Sequence, residues 1–209
     1  MSNDNHGWLP LDPALDWVAM EERVLAGWRA GDVFARSVRQ REGAEPYVFY
    51  EGPPTANGRP GVHHVLSRVF KDSIRRFWAM RGRYVGRRGG WDCHGLPVEL
   101  EVERQLGISG KPEIEAYGIA EFNARCRESV LTYLEEWERL TERIGFWVDT
   151  DRAYKTMDAT FVESVWWALA TMWDRGLVFE SDKVVPYCGR CGTALSGHEV
   201  AQGYKDVDD

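Results

Sequence analysis

Residues 47–50, Tyr-Val-Phe-Tyr, form a short apolar run that leads into Glu51-Gly52-Pro53-Pro54-Thr55-Ala56-Asn57-Gly58-Arg59-Pro60-Gly61. Proline has no N–H to give a ladder and breaks a helix interior. The apolar run therefore reads as a buried strand, 47–51, closed by a stiff turn. Helical periodicity starts at Val62 and continues to about Gly82, with Val65, Leu66, Val69, Ile74, Phe77 and Trp78 as the expected buried face. His63 and His64 stand in the first turn of that helix. A helix N-terminus presents free N–H groups and partial positive charge, which suits a phosphate. Adjacent imidazoles add donors that can carry charge. The strand–turn–helix thus predicts a place to hold the phosphates of a nucleotide.

The rest of the chain reads as alternating helices and strands. Leu15, Val18, Leu25, Trp28, Val33 and Phe34 recur at helical spacing, and Gly31-Asp32 divides them into two helices. Asp12 before Pro13 is the expected N-cap. A second strand is expected at 84–89, a helix at 96–106 ended by Gly107, and one long helix at 119–144. A further helix is expected at 159–175, ended by Gly176, with Trp166, Trp167 and Trp173 packed in a core. Residues 177–187 read as extended chain. This order predicts an α/β fold with an incomplete, Rossmann-like parallel sheet and a helical N-terminal lead-in. Ligands of such sheets sit beyond the carboxyl ends of the strands, where Gly52-Pro53 and Trp91-Asp92 would lie.

Composition narrows the function classes. The chain has 209 residues and a net charge of −7, with 44% hydrophobic residues. Segment 68–88 nevertheless carries eight basic residues against Asp72 alone, a net of +7, so the remainder is −14. A general affinity for nucleic acid is excluded, while a local field that draws ATP or an RNA end is not. No apolar run reaches the roughly 18 residues of a membrane span, and the N-terminus lacks a signal-peptide pattern. Four cysteines in such a chain point to thiols or metal and to the cytoplasm.

Two constellations carry further chemistry. Asp92, at the end of a strand, can form a charge-assisted bond with an ammonium group, or can serve as an ordinary turn aspartate. Cys188-Gly189-Arg190-Cys191 has metal-ligand spacing and supplies two of the four ligands of a tetrahedral zinc. His198 is a candidate third, and Cys93 and Cys126 belong to other elements.

The stretch from Tyr50 to His64 resembles the first signature of the class I aminoacyl-tRNA synthetases. Gly90-Trp91-Asp92-Cys93-His94-Gly95-Leu96-Pro97-Val98-Glu99, Glu163-Ser164-Val165-Trp166-Trp167 and Lys183-Val184-Val185-Pro186-Tyr187-Cys188-Gly189-Arg190-Cys191-Gly192 narrow the likeness to the isoleucine-specific branch. That family usually reads His-x-Gly-His at the helix start, whereas this chain reads Gly61-Val62-His63-His64, with the first histidine and the glycine exchanged. The resemblance implies activation of isoleucine with ATP, carried with Mg, and transfer to tRNA(Ile). It implies that Gly61, His63 and His64 bind ATP, with His64 and His63 catalytic. Gly52, Pro53 and Asp92 would bind the amino acid, with Asp92 on its α-amino group. Cys188 and Cys191 would be half of a zinc site that a later Cys-x-x-Cys completes.

The resemblance also implies an organisation. Residues 1–44 form the lead-in, 45–187 the first half of the catalytic domain, and 188–209 a zinc lobe opening a connective insertion. The proofreading domain and the Lys-Met-Ser-Lys-Ser signature would come later in such a protein, so this chain's expected partner is the remaining synthetase polypeptide, and by itself it is expected to be inactive. The alternative is a non-catalytic module, derived from a synthetase, that binds a nucleotide or a partner.

Overall fold

The computed structural model describes residues 14–202. The fold is mixed α/β, with a parallel strand pair. The elements are α1 Trp17–Ala30, α2 Val33–Arg39, α3 Val62–Met80, β1 Arg88–Trp91, α4 Leu96–Leu106, α5 Lys111–Tyr117, α6 Ile119–Ser129, α7 Leu134–Arg143, β2 Asp149–Lys155, α8 Ala159–Asp174, β3 Tyr187–Cys188, β4 Thr193–Ala194 and α9 Gly197–Gln202. The chain divides into two compact units. One comprises Met1–Tyr50, Gly61–Arg87 and Arg139–Val148, and the other Glu51–Pro60, Arg88–Glu138 and Asp149–Asp209.

In the first unit α1 starts at Asp16, whose carboxylate accepts the Ala19 N–H at 3.0 Å. The expected cap at Asp12 lies outside the described residues. Helix α3 has the expected limits but not the expected inner face. Its buried residues are Arg68, Arg75 and Ala79, while Leu66, Val69, Ile74 and Phe77 are exposed. Aromatic rings explain the reversal. The Arg75 guanidinium lies 4.5 Å from the ring centres of both Phe49 and Phe146, and Arg76 lies 3.7 Å over Trp147. Arg68 bonds the Thr141 hydroxyl and stacks on Phe146. Cation–π contacts and long aliphatic stems let arginine fill an interior of this kind.

Segment 47–50 is not the buried strand expected of it. A single parallel bridge joins Pro46 to Tyr84, with Tyr47 N–H donating to Tyr84 O at 2.8 Å, and Tyr50 is 88% exposed. A doubly buried strand needs neighbours on both edges and both faces. Here one register position on one edge is met.

The second unit is organised around β1 and β2, which run parallel with Gly90 opposite Tyr154 and Trp91 opposite Lys155. The strand expected at 84–89 is thus displaced to 88–91, and β2 was not anticipated. Ala56, Trp91, Cys93, Val98, Val130 and Trp137 form the core beneath this pair. Gly90 is required by close packing, because a Cβ there would overlap the Tyr154 ring. The single helix expected at 119–144 is two. Tyr133 N–H leaves the helical pattern to donate to Ala56 O at 2.9 Å, so the chain turns between α6 and α7. Helix α5, between Gly110 and Gly118, both at positive φ, was also missed. Helix α8 matches its prediction in extent. Its tryptophans do not: Trp166, Trp167 and Trp173 are exposed, Trp167 at 71%. Among the described residues, 177–185 join no strand, and Pro186 O accepts the Leu195 N–H at 2.9 Å where the β3–β4 hairpin begins.

Candidate functional site

The first unit contains Gly61, His63 and His64 at the mouth of α3. Gly61 is the N-cap, in extended backbone, and contributes no side chain to cap the helix. His64, at the third helical position, bends back so that its Nδ1 accepts the Gly61 N–H at 2.9 Å, while its own N–H donates to Gly61 O at 3.0 Å. His63 packs against His64 with ring centroids 3.8 Å apart and the planes tilted by 43°. Its ring also occupies the space beside Gly61, where a Cβ would meet His63 Cε1 at 2.9 Å. The exchanged glycine and histidine therefore fit one another: the ring from position 63 fills the volume that a side chain at 61 would take. Burial lowers the pKa of His64, and the nearby His63 and Arg68 lower it further.

Gly52, Pro53 and Asp92 belong to the second unit. Asp92 follows β1. Its N–H donates to Pro54 O at 2.9 Å, and it forms a parallel bridge with Thr55. Gly52 and Pro53 lie in the extended segment that leads into this bridge, and the turn follows it at 56–57. Tyr154 holds the same segment from β2 by donating its hydroxyl to Glu51 O at 2.9 Å. The Asp92 Oδ1 accepts from the Thr156 hydroxyl at 3.2 Å and from the His94 N–H at 3.4 Å. Beside it, Cys93, His94, Val98, Cys126 and Met157 line part of a cavity of about 460 Å³. Burial raises the pKa of both thiols, which suits a packing role rather than a nucleophilic one. Sequence reasoning found Asp92 but missed Thr156 and Tyr154, because only the β1–β2 pairing brings them there.

Cys188 ends β3 and Cys191 lies in the turn before β4. The Cys191 N–H donates to Cys188 Sγ at 3.3 Å and holds the Cys188 thiol below its usual range, while the hydrogen bond to Cys188 raises Cys191. Two sulfurs at Cys-x-x-Cys spacing in a tight turn have the donor chemistry of a zinc ligand pair. Two sulfurs do not complete a tetrahedral zinc, and no group of three metal-ligating side chains occurs among the described residues. The side chain of His198 lies outside the described residues. No helix among the described residues is long and apolar enough to cross a membrane.

Comparison with known proteins bears on these features. Residues 23–208 match the family model of the class I tRNA synthetases (I, L, M and V). The chain is 60% identical over 196 residues to an isoleucine–tRNA ligase of Dehalococcoides mccartyi, covering 94% of this chain and 19% of that protein. It is 57% identical over 210 residues to the isoleucine–tRNA ligase of Thermobifida fusca, covering 100% of this chain and 20% of the relative. With the isoleucine–tRNA ligase of Thermus thermophilus the identity is 57% over 190 residues, 91% of this chain and 18% of the relative. The chain thus spans about one fifth of the length of the curated relatives it matches.

Proposed function

This chain belongs to the class I tRNA synthetases, and on that premise we propose that it is the N-terminal part of an isoleucine–tRNA ligase. The intact protein joins isoleucine to the α-phosphate of MgATP, expels pyrophosphate, and passes the isoleucyl group from the adenylate to tRNA(Ile). The reaction needs no protein nucleophile. The substrate carboxylate attacks phosphorus, and the protein supplies position and positive potential.

The roles follow the chemistry of the two units. In the first unit the mouth of α3, with His64 and His63, holds ATP phosphate, and Gly61 leaves room for the His63 ring beside it. In the second unit Asp92 takes the α-ammonium of isoleucine, and Gly52 and Pro53 border its side chain. Cys188 and Cys191 contribute two zinc ligands, with the others supplied by the remaining synthetase polypeptide. The action is cytoplasmic, where charged tRNA is used. The single observation that carries the reading is the identity of 57–60% with isoleucine–tRNA ligases across this segment, in which the Asp92 carboxylate is anchored on one oxygen by Thr156 and His94.

The test is amino-acid-dependent ATP–pyrophosphate exchange by the complete synthetase whose N-terminal part is this chain. Isoleucine is expected to give the highest kcat/KM. Valine, one methylene smaller, should be lower by about 10–200-fold. Exchange driven equally by leucine or valine would overturn the isoleucine assignment, and no exchange with any amino acid would favour a non-catalytic binding module.

A further inference from the structure

We propose that Thr156 is a positioning residue for the amino-acid ammonium site: it orients the Asp92 carboxylate so that one chosen oxygen faces the substrate. The inference rests on the reading of Asp92 as the ammonium partner.

The argument begins with the parallel pair. Trp91 is opposite Lys155, and Thr156 N–H donates to Trp91 O at 3.1 Å. Thr156 therefore sits one residue beyond β2, alongside Asp92, which sits one residue beyond β1. Its exposure is only 7%, so its hydroxyl must be satisfied by protein. The Cys93 N–H donates to Thr156 Oγ1 at 2.8 Å. An amide N–H can only donate, so the threonine oxygen is the acceptor there, and its single hydrogen is left to point elsewhere. It is directed to Asp92 Oδ1 at 3.2 Å.

The His94 N–H reaches that same oxygen. Two donors on Oδ1 fix the plane of the carboxylate, and no hydrogen bond reaches Oδ2 among the described residues. A charged acceptor with one oxygen clamped and the other open is set for a single incoming cation. Because every α-amino acid carries the same ammonium, Thr156 governs affinity for the amino acid without choosing its side chain.

The test uses the complete synthetase and compares Thr156→Val with Thr156→Ser. Valine keeps the branched shape and removes the hydroxyl. It is expected to raise the KM for isoleucine and for valine by the same factor, about 10-fold, with the ATP KM changed by less than about twofold. Inhibition by 3-methylpentanoate, which lacks the amine, is expected to stay the same, and serine is expected to restore the isoleucine KM to within about threefold of wild type.

In an Asp92→Asn background, Thr156→Val should add little, since the two act as one device. If Thr156→Val does not fold, Thr156→Ala carries the same readouts. Equal losses for isoleucine, ATP and 3-methylpentanoate would mean a merely structural role and overturn the inference. So would an unchanged isoleucine KM in Thr156→Val while Asp92→Asn raises it. An unchanged isoleucine KM in Asp92→Asn would instead bring down the reading of Asp92 on which the inference stands.

Discussion

At the mouth of α3 one imidazole closes its own helix: His64 Nδ1 accepts the Gly61 N–H at 2.9 Å. The cap needs neutral imidazole, and burial together with His63 and Arg68 favours that form. The sign for stability follows. In the folded chain His64 binds a proton less readily than in the unfolded chain. As pH falls through about 6.5 the unfolded state takes up protons first, so the contribution present at higher pH is lost. The Tm of the wild type should therefore drop more between about pH 7.5 and pH 5.5 than that of His64→Gln, since glutamine can cap from the same position without titrating. Equal drops in the two proteins would refute this. Gly61 and His63 should also be coupled. Gly61→Ala sets a Cβ against the exposed His63 ring, which must turn away, and should destabilise by about 0.5–1 kcal/mol. The cost should shrink in a His63→Ala background, as read by a urea double-mutant cycle.

Elements were legible where their signals are local. The limits of α3 and α4 and the extent of α8 follow from periodicity and from glycines at the ends, such as Gly107 and Gly176 at positive φ. The failures share one cause: the deciding partner is distant in sequence. The break between α6 and α7 depends on Ala56 O, and β2 depends on Gly90, a glycine that makes room for the Tyr154 ring beside β1. The inner face of α3 is basic because the Arg75 guanidinium lies against the rings of Phe49 and Phe146, and helical periodicity counts arginine as outside. Of the candidate site, His64 and Asp92 were readable from their motifs, whereas Thr156, which clamps Asp92, has no local signature. The element-scale prediction concerns packing. Gly90→Ala should cost about 1–3 kcal/mol in urea unfolding through overlap with Tyr154, and a cost below about 0.5 kcal/mol would show that this contact does not hold β1 to β2.

Across the whole chain, charge and apolar surface are unevenly distributed. The +7 of segment 68–88 stands against −14 elsewhere, which concentrates positive potential in and just after the helix that opens at His63 and His64. Within the first unit α3 exposes Leu66, Val69, Phe70 and Phe77, and within the second α8 exposes Trp166, Trp167 and Trp173. Such faces bind hydrophobic dyes and promote association. The purified 209-residue chain should raise anilinonaphthalene-sulfonate fluorescence well above a compact control of the same mass, and a response equal to the control would contradict these exposures. The central claim is that α3 serves phosphate while Asp92 serves the amino acid. Isoleucine-dependent ATP–pyrophosphate exchange by the complete synthetase, comparing His64→Ala with Asp92→Asn, tests it most directly. The account predicts that His64→Ala lowers kcat by about 10²-fold or more with the isoleucine KM nearly unchanged, and that Asp92→Asn raises the isoleucine KM with the ATP KM nearly unchanged. Wild-type kinetics in both variants, or the two effects exchanged between them, would contradict it.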